Sequence, residues 1–317
     1  MTVAICGAVL AVVLFAVTAP RLGRHLPPAL ATRLLVPAML VMAAATVFSL
    51  GLPAATLLVQ LPPVAAMGPW SAIRLDAYNP VPDVLAAIGL VLLIAAAVHV
   101  LVKTVRRVRS LIAIYRTYHG VRSAGSVIVI DSDRVDAFAT PAPAGRVVVT
   151  SALLRALSPA ERRAVLAHER SHLAHRHVWW ALTADLAAAV NPLLRPTATT
   201  IGHAIERWAD EAAATVIGDR QLVARTIARS ALLRHDAHTA ADNTLLPAAT
   251  GADVPQRVLA LLAPPPRRRP LAFAALAVLL AAGILATFAV EQSGDHLFDH
   301  ALLRPAHTAH YRPGQGD

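Results

Sequence analysis

Four long apolar runs constrain the fold of this 317-residue chain more than any other feature. They lie at residues 3–20, 34–61, 84–102 and 271–290, close to or above the length that a helix needs to cross a bilayer. The composition agrees, because 56% of the residues are hydrophobic and only 15% are charged. No basic residue precedes the first run, so we keep it as a spanning helix rather than a signal peptide. The sequence therefore predicts an α-helical polytopic membrane protein.

Basic residues beside the apolar runs predict the orientation of the chain. Arg21, Arg24 and Arg33 flank the first loop, whereas the loop at residues 62–83 holds only Arg74. Further basic residues follow the third run and precede the fourth: Lys103, Arg106, Arg107, Arg109, Arg267, Arg268 and Arg269. Because positively charged loops stay on the cytoplasmic side, we expect a plasma-membrane protein with both termini outside.

This orientation divides the chain into four parts. Residues 1–102 are expected to form a membrane region with three spanning helices, and residues 103–270 a mainly α, α+β cytoplasmic domain. Residues 271–290 are expected to form the fourth spanning helix, and residues 291–317 a short extracytoplasmic tail. At its length, the cytoplasmic domain should be able to bury its own core.

The net charge of +10 does not indicate a nucleic-acid-binding protein. Much of the excess lies next to the spans, where topology and anionic lipid headgroups account for it. We therefore expect the lipid bilayer as a partner and no direct nucleic-acid binding. The single cysteine, Cys6, lies in the first run, so the sequence offers no internal disulfide and no thiolate metal cluster.

An H-E-x-x-H motif, from His168 to His172, is the clearest functional signal. On a helix, residues four apart share a face, so both imidazoles can bind one metal ion with Glu169 beside it. A chance match is expected only about 0.01 times in a chain with 14 His and 5 Glu. Ser158, Pro159 and Glu161 supply a helix start signal just upstream. We predict a zinc site with Glu169 as the general base.

Zinc needs a third ligand, and a second helix-forming stretch supplies a candidate. Glu206 lies 34 residues after His172 and is followed one helical turn later by Asp210. We predict Glu206 as the third ligand. Asp210 would accept the second ring N–H of a ligand histidine and fix its tautomer.

H-E-x-x-H followed by E-x-x-x-D resembles the gluzincin peptidases, which include the CAAX prenyl endopeptidase and HtpX group and the BlaR/MecR-type membrane metallopeptidases. Residues 136–140 and 146–154 resemble the strand pair before the active-site helix of these enzymes. The resemblance implies a minigluzincin-like domain that binds one Zn²⁺ per chain through His168, His172 and Glu206, with Glu169 as the base. The layout of the spans is similar to the BlaR/MecR-type sensors, although the 27 residues after the fourth span are too few for an extracellular sensor domain.

The region around the motif predicts several other elements. Residues 126–131 indicate a strand, and residues 135–139 and 146–150 a hairpin with its turn at 141–145. A strand beside the metal helix would either bind an extended substrate as an added strand or be covered. Residues 179–194 favour a buried or interfacial helix over a fifth span, and residues 219–235 and 253–262 indicate further helices.

Three further histidines lie near the two motifs: His175, His177 and His203. They are candidates for groups that support the ligands or bind an oxyanion. Simple packing or solvation is the commoner role of such histidines, and the sequence leaves these alternatives open.

The predicted function is an integral-membrane zinc endopeptidase with a protein or peptide substrate. The BlaR/MecR resemblance implies a signalling protease that cleaves a cytoplasmic repressor of the BlaI/MecI type or its own chain. One alternative is a quality-control protease like HtpX, which would degrade unfolded membrane proteins. Another is a catalytically silent receptor, which would have no need to keep Glu169.

Overall fold

The computed structural model describes residues 1–67, 81–118, 120–121, 125–140, 145–240, 253–267 and 269–301. Several predicted features lie outside these residues. They are Arg74, the turn at residues 141–144, Arg268 and residues 302–317 of the tail.

Four of the described helices are long and apolar enough to cross a membrane, which confirms the four predicted runs. They are α1 (Thr2–Arg24), α2 (Pro28–Val59), α4 (Asp83–Tyr118) and α11 (Pro270–Ala301). A single turn, α3 (Pro62–Ala65), follows α2. Helix α2 is central, because it packs against each of the other three. Gly89 permits the contact with α4, since a Cβ there would lie 3.1 Å from the carbonyl oxygen of Leu50.

Helix α4 contains the predicted span at residues 84–102 and continues beyond it to Tyr118. Its 36 residues correspond to about 54 Å, well beyond the roughly 30 Å hydrocarbon core of a bilayer. The outer part carries the basic residues, and Arg107 there pairs with Asp185 at 2.6 Å. Asp185 is the acidic residue within the apolar stretch at residues 179–194.

A three-stranded sheet follows α4, with β1 (Val127–Ile130), β2 (Ala137–Thr140) and β3 (Arg146–Thr150) in the order β1-β3-β2. Strands β2 and β3 are antiparallel, as predicted for the hairpin, and β1 is parallel to β3. Val147 and Val149 on β3 are buried in a cluster that also contains residues of the helix that carries the H-E-x-x-H motif. The sheet therefore supports that helix from one side, and β2 is an edge strand.

The remaining helices of the region between α4 and α11 are α5 (Ser151–Ala156), α6 (Pro159–Ala174), α7 (His177–Val190), α8 (Arg195–Ile217), α9 (Arg220–Ala240) and α10 (Val254–Leu262). A 3₁₀ turn (Pro192–Leu194) links α7 to α8. Helix α6 begins with the predicted capping box, in which Ser158 and Glu161 bond each other's backbone N–H. Arg229 of α9 also donates to Glu161 at 3.0 Å and fixes this start.

Helix α7 has 14 residues, about 21 Å, and is too short to span the bilayer. It lies against α2, α4 and α8, and its alanines Ala184, Ala187 and Ala188 are buried in the core of the spanning helices. This packing agrees with the predicted buried or interfacial helix.

One hydrophobic core joins the membrane helices to the helices of the active-site region. Ile201 and Ile205 of α8 pack in the same cluster as Leu35 and Met39 of α2. Asn191 adds a hydrogen bond to Thr46 of α2 at 2.9 Å. The region from residue 103 to 270 thus shares one core with the membrane helices, in addition to two smaller clusters of its own.

Candidate metal centre

Helices α6 and α8 bring the three predicted ligands together. His168 and His172 lie one turn apart on α6, and their Nε2 atoms are 3.2 Å apart. Carboxylate oxygens of Glu206, on α8, lie 3.6 Å from His168 Nε2 and 3.7 Å from His172 Nε2. The two histidines meet because of helical spacing, whereas Glu206 reaches them only because α6 and α8 pack together.

These distances fit a zinc ion. In a tetrahedral site with bonds of about 2.0–2.2 Å, the ligand atoms lie about 3.3–3.6 Å from one another. Two imidazoles and a carboxylate, with one position open, are the donor set of a catalytic zinc. The Glu206 side chain is 37% exposed, so the ligand group is open on one side.

Asp210 lies where the sequence predicts, beside the ligand His168. Its Oδ1 is 2.9 Å from His168 Nδ1, although the ring N–H does not point directly at this oxygen. The carboxylate is almost fully buried, with 2% of its side chain exposed. Asp210 therefore holds the ring of His168 from the side opposite to the Nε2 atom that faces the other ligands.

Arg257 is a site residue that sequence reasoning missed. From α10 it donates to both oxygens of Asp210 at 2.7 and 2.8 Å, and its Nη1 lies 3.1 Å from Glu206 Oε2. Arg257 thus links the ligand Glu206 to Asp210. The only signal in the sequence is a lone arginine in the helix predicted at residues 253–262, 47 residues after Asp210, which does not indicate its partner.

The two ligand histidines differ in their electrostatics. Burial opposes protonation of His168, but Asp210 and Glu206 outweigh it and raise its pKa to about 9. Burial, together with the charge of His168, lowers the pKa of His172 to about 4. For Glu206, burial is outweighed by His168 and Arg257, which lower the pKa to about 2. A metal ion would therefore replace a proton on His168 but find His172 already neutral.

Glu169, the predicted base, lies next to the ligands on α6. Burial is the main cause that raises its pKa, to about 7. A carboxylate with a pKa near neutrality can both accept and release a proton at physiological pH.

The other side of His172 is aromatic. Its Nδ1 lies 3.0 Å from Nδ1 of His177, which is 1% exposed. Trp208 contacts the rings of both His175 and His177, with centroids 4.7 and 4.8 Å away. Arg33 of α2 lies over the indole of Trp208, 4.9 Å from the ring centroid.

The three additional histidines therefore have different roles. His175 contacts Ser171 through Nδ1, at 3.2 Å from the hydroxyl and 3.1 Å from the carbonyl oxygen. His203 forms an ion-pair contact with Asp253 away from the ligand atoms. Only His177, of these three, bonds a predicted ligand.

A cavity of about 910 Å³ opens beside the ligands. Glu169, His172 and Glu206 form its polar wall. Arg176 and His177 also line the cavity, and most of the remaining lining is apolar, with Leu173, Val178, Ala181 and Ile205.

These features define a class of protein: a multi-pass membrane protein with the donor set of a metallopeptidase. Comparison with known proteins supports the same class. The profile of peptidase family M48 matches residues 103–194, which include the H-E-x-x-H motif but end before Glu206.

A protease HtpX homolog from Acidiphilium cryptum (strain JF-5) is 47% identical over 68 residues. The aligned segment covers 20% of this chain and 23% of that relative, so it spans about a quarter of the relative's length. No solved structure matches. The findings support the M48 family and a membrane protease, while the BlaR/MecR-type specialisation stays a prediction.

Proposed function

We propose that this chain is an integral-membrane zinc-dependent endopeptidase whose active site faces the cytoplasm. His168, His172 and Glu206 hold one zinc ion per chain in this proposal. The mutual spacing of their ligand atoms, 3.2 to 3.7 Å, is the observation that carries it. Similarity to peptidase family M48 supports the same activity.

Each residue of the site then has a chemical task. Bound zinc would supply a Lewis acid that polarises the scissile carbonyl and makes a water molecule more acidic. Glu169 lines the same cavity as His172 and Glu206, so it can take a proton from the attacking water and deliver it to the leaving amine. Asp210 and Arg257 orient His168 and Glu206.

The edge strand β2 is the candidate guide for the substrate. It packs beside α6, and Ala139 of β2 lines the cavity together with Glu169. A peptide that pairs with β2 as an added strand would pass along the ligand group. Backbone pairing would give affinity without a strict sequence requirement, and the apolar cavity would select one side chain.

The proposal is tested with full-length protein in proteoliposomes. Glu169→Gln should keep its zinc but lose about 10²- to 10⁴-fold in the cleavage rate of an unfolded protein substrate. Arg170→Gln is a matched control, because Arg170 is the next residue on α6 and is exposed. Equal cleavage by wild type and Glu169→Gln, or no zinc in the wild type, would contradict the proposal.

Two substrate classes remain as proposals. The sequence resemblance favours regulated cleavage of a BlaI/MecI-type repressor or of the chain itself. The match to a protease HtpX homolog supports degradation of unfolded membrane proteins equally well. The two are separated by comparing the proteins of cells that carry the wild type with those of cells that carry Glu169→Gln. Loss of one or two defined cleavage fragments in the variant indicates regulation. Accumulation of many membrane proteins in the variant indicates quality control.

A catalytically silent receptor is less compatible with the site. Glu169 is not needed to hold a metal, yet it lies beside the ligands with a pKa raised to about 7 by burial. A receptor without catalytic activity would not need a carboxylate at this position of the cavity wall.

A further inference from the structure

We propose that His177 is a positioning residue that fixes the tautomer and ring orientation of the metal ligand His172. The inference rests on the proposed zinc site. It assigns to His177 the support that Asp210 gives to His168, but with a neutral imidazole in place of a carboxylate.

The contact between the two rings determines which atom donates. Nε2 of His172 faces the other two ligand groups, 3.2 Å from His168 Nε2 and 3.7 Å from Glu206 Oε1. The proton of neutral His172 therefore belongs on Nδ1, which lies 3.0 Å from Nδ1 of His177. Nδ1 of His177 accepts the hydrogen bond from this N–H, and the proton of His177 itself is on Nε2. Ligand histidines usually donate their second N–H to a neighbouring group, and this contact supplies that group.

The surroundings of His177 hold its ring against His172. Its side chain is 1% exposed, and its Nε2 has no hydrogen-bond partner within the described residues. Rings surround it instead, since His172 lies edge-on at 4.8 Å, His175 stacks at 5.6 Å and Trp208 packs at 4.8 Å. Packed among these rings, His177 keeps its Nδ1 against Nδ1 of His172, where it is placed to accept the hydrogen bond.

The backbone before His177 supports the same inference. Arg176 has φ 54° and ψ 41°, and among the described residues it is the only non-glycine with positive φ. This left-handed residue lies between α6 and α7, directly before His177, which contacts His172 five positions earlier. Residues other than glycine rarely adopt this conformation, and they do so where the surrounding structure holds them.

Two substitutions separate an accepting role from a packing role. In His177→Asn, Oδ1 takes the place on Cγ that Nδ1 has in histidine, so the acceptor remains while most of the ring is lost. In His177→Phe, the ring remains while the acceptor is lost. A positioning role predicts that Asn preserves zinc binding better than Phe, whereas a packing role predicts the reverse.

The measurement is zinc affinity of the full-length protein in detergent, by competition with a chromogenic chelator. We expect His177→Phe to bind zinc about 10- to 100-fold more weakly than the wild type. His177→Asn should stay within about threefold of the wild type, because an amide oxygen also accepts the proton. The visible spectrum of the cobalt-substituted site should change in the Phe variant and stay close to wild type in the Asn variant.

His175→Phe is the matched control, since His175 stacks on His177 but bonds Ser171 instead of a ligand. Thermal unfolding of the zinc-free variants shows their packing independently of the metal. Zinc affinity in His177→Phe equal to or above that of His177→Asn would overturn the role of His177. A wild type that binds no zinc would overturn the proposed metal site itself.

Discussion

The two candidate ligand histidines lie one turn apart on the same helix, yet chemically different neighbours surround them. Asp210 and Arg257 form an ionic side next to His168. His177 and Trp208 form an aromatic side next to His172, and Arg33 of the membrane helix α2 covers it. The residues of the ionic side therefore belong to the helices α8 and α10, whereas the aromatic side also contacts the membrane helix α2 through Arg33.

The ionic side should be broken most severely by Arg257→Met. The change leaves the Asp210 carboxylate, 2% exposed, as a buried charge without its main partner. Breaking a buried ion pair from one side costs about 3–5 kcal/mol of folding stability. Thermal unfolding of the zinc-free protein in detergent measures this loss.

A double variant provides the control for this prediction. Adding Asp210→Asn to Arg257→Met removes the unpaired charge and should recover part of the stability. If Arg257→Met unfolds at the wild-type temperature, the ionic side is not the stabilising element that its contacts indicate.

Glu206 lies close to both His168 and His172. Glu206→Gln should therefore have the next largest effect, on zinc affinity. A neutral amide is a poor zinc ligand, so we expect a loss of zinc affinity above the roughly 10- to 100-fold that a supporting residue contributes. Glu211→Gln is the comparison, because Glu211 lies on the same helix but pairs with Arg220. Chelator competition measures both, and equal affinities would remove Glu206 from the ligand set.

The outer edge of the aromatic side should give the smallest effect. Arg33→Met removes the cation over Trp208, an exposed contact of a kind that contributes about 0.5–1 kcal/mol. We expect at most a two- to fivefold loss of zinc affinity, which is the change in a binding constant that about 0.5–1 kcal/mol corresponds to. Arg24→Met, at the exposed end of α1, is the control. A loss as large as that of His177→Phe would mean that the aromatic side depends on the membrane helix more than its contacts suggest.

Local patterns predicted the four long apolar helices and the three residues that the fold brings together as candidate metal ligands. Spanning helices follow from apolar runs, and the pairs at His168 and His172 and at Glu206 and Asp210 follow from helical spacing. The capping box at Ser158 is likewise a short-range signal, and the structure has it.

The missing parts depend on packing between distant elements. Arg257 reaches Asp210 only because α10 packs on α8, and Arg33 reaches Trp208 only because α8 packs on α2. His177 is close to His172 in sequence, but the contact between their rings needs the left-handed backbone of Arg176. An arginine at that position does not predict such a backbone. Each contact involves residue types that are also common on surfaces, so a single sequence could not distinguish these residues.

The core that α7 and α8 share with the membrane helices has a practical consequence. A fragment cut at residues 103 and 270 would carry the whole ligand group but expose Ile201, Ala204 and Ile205 to water. Such a fragment would aggregate or rearrange the helix that bears Glu206. The spanning helices must therefore keep their packing in detergent for the ligand group to keep its geometry, so the choice of detergent becomes a variable of the metal site as well as of solubility.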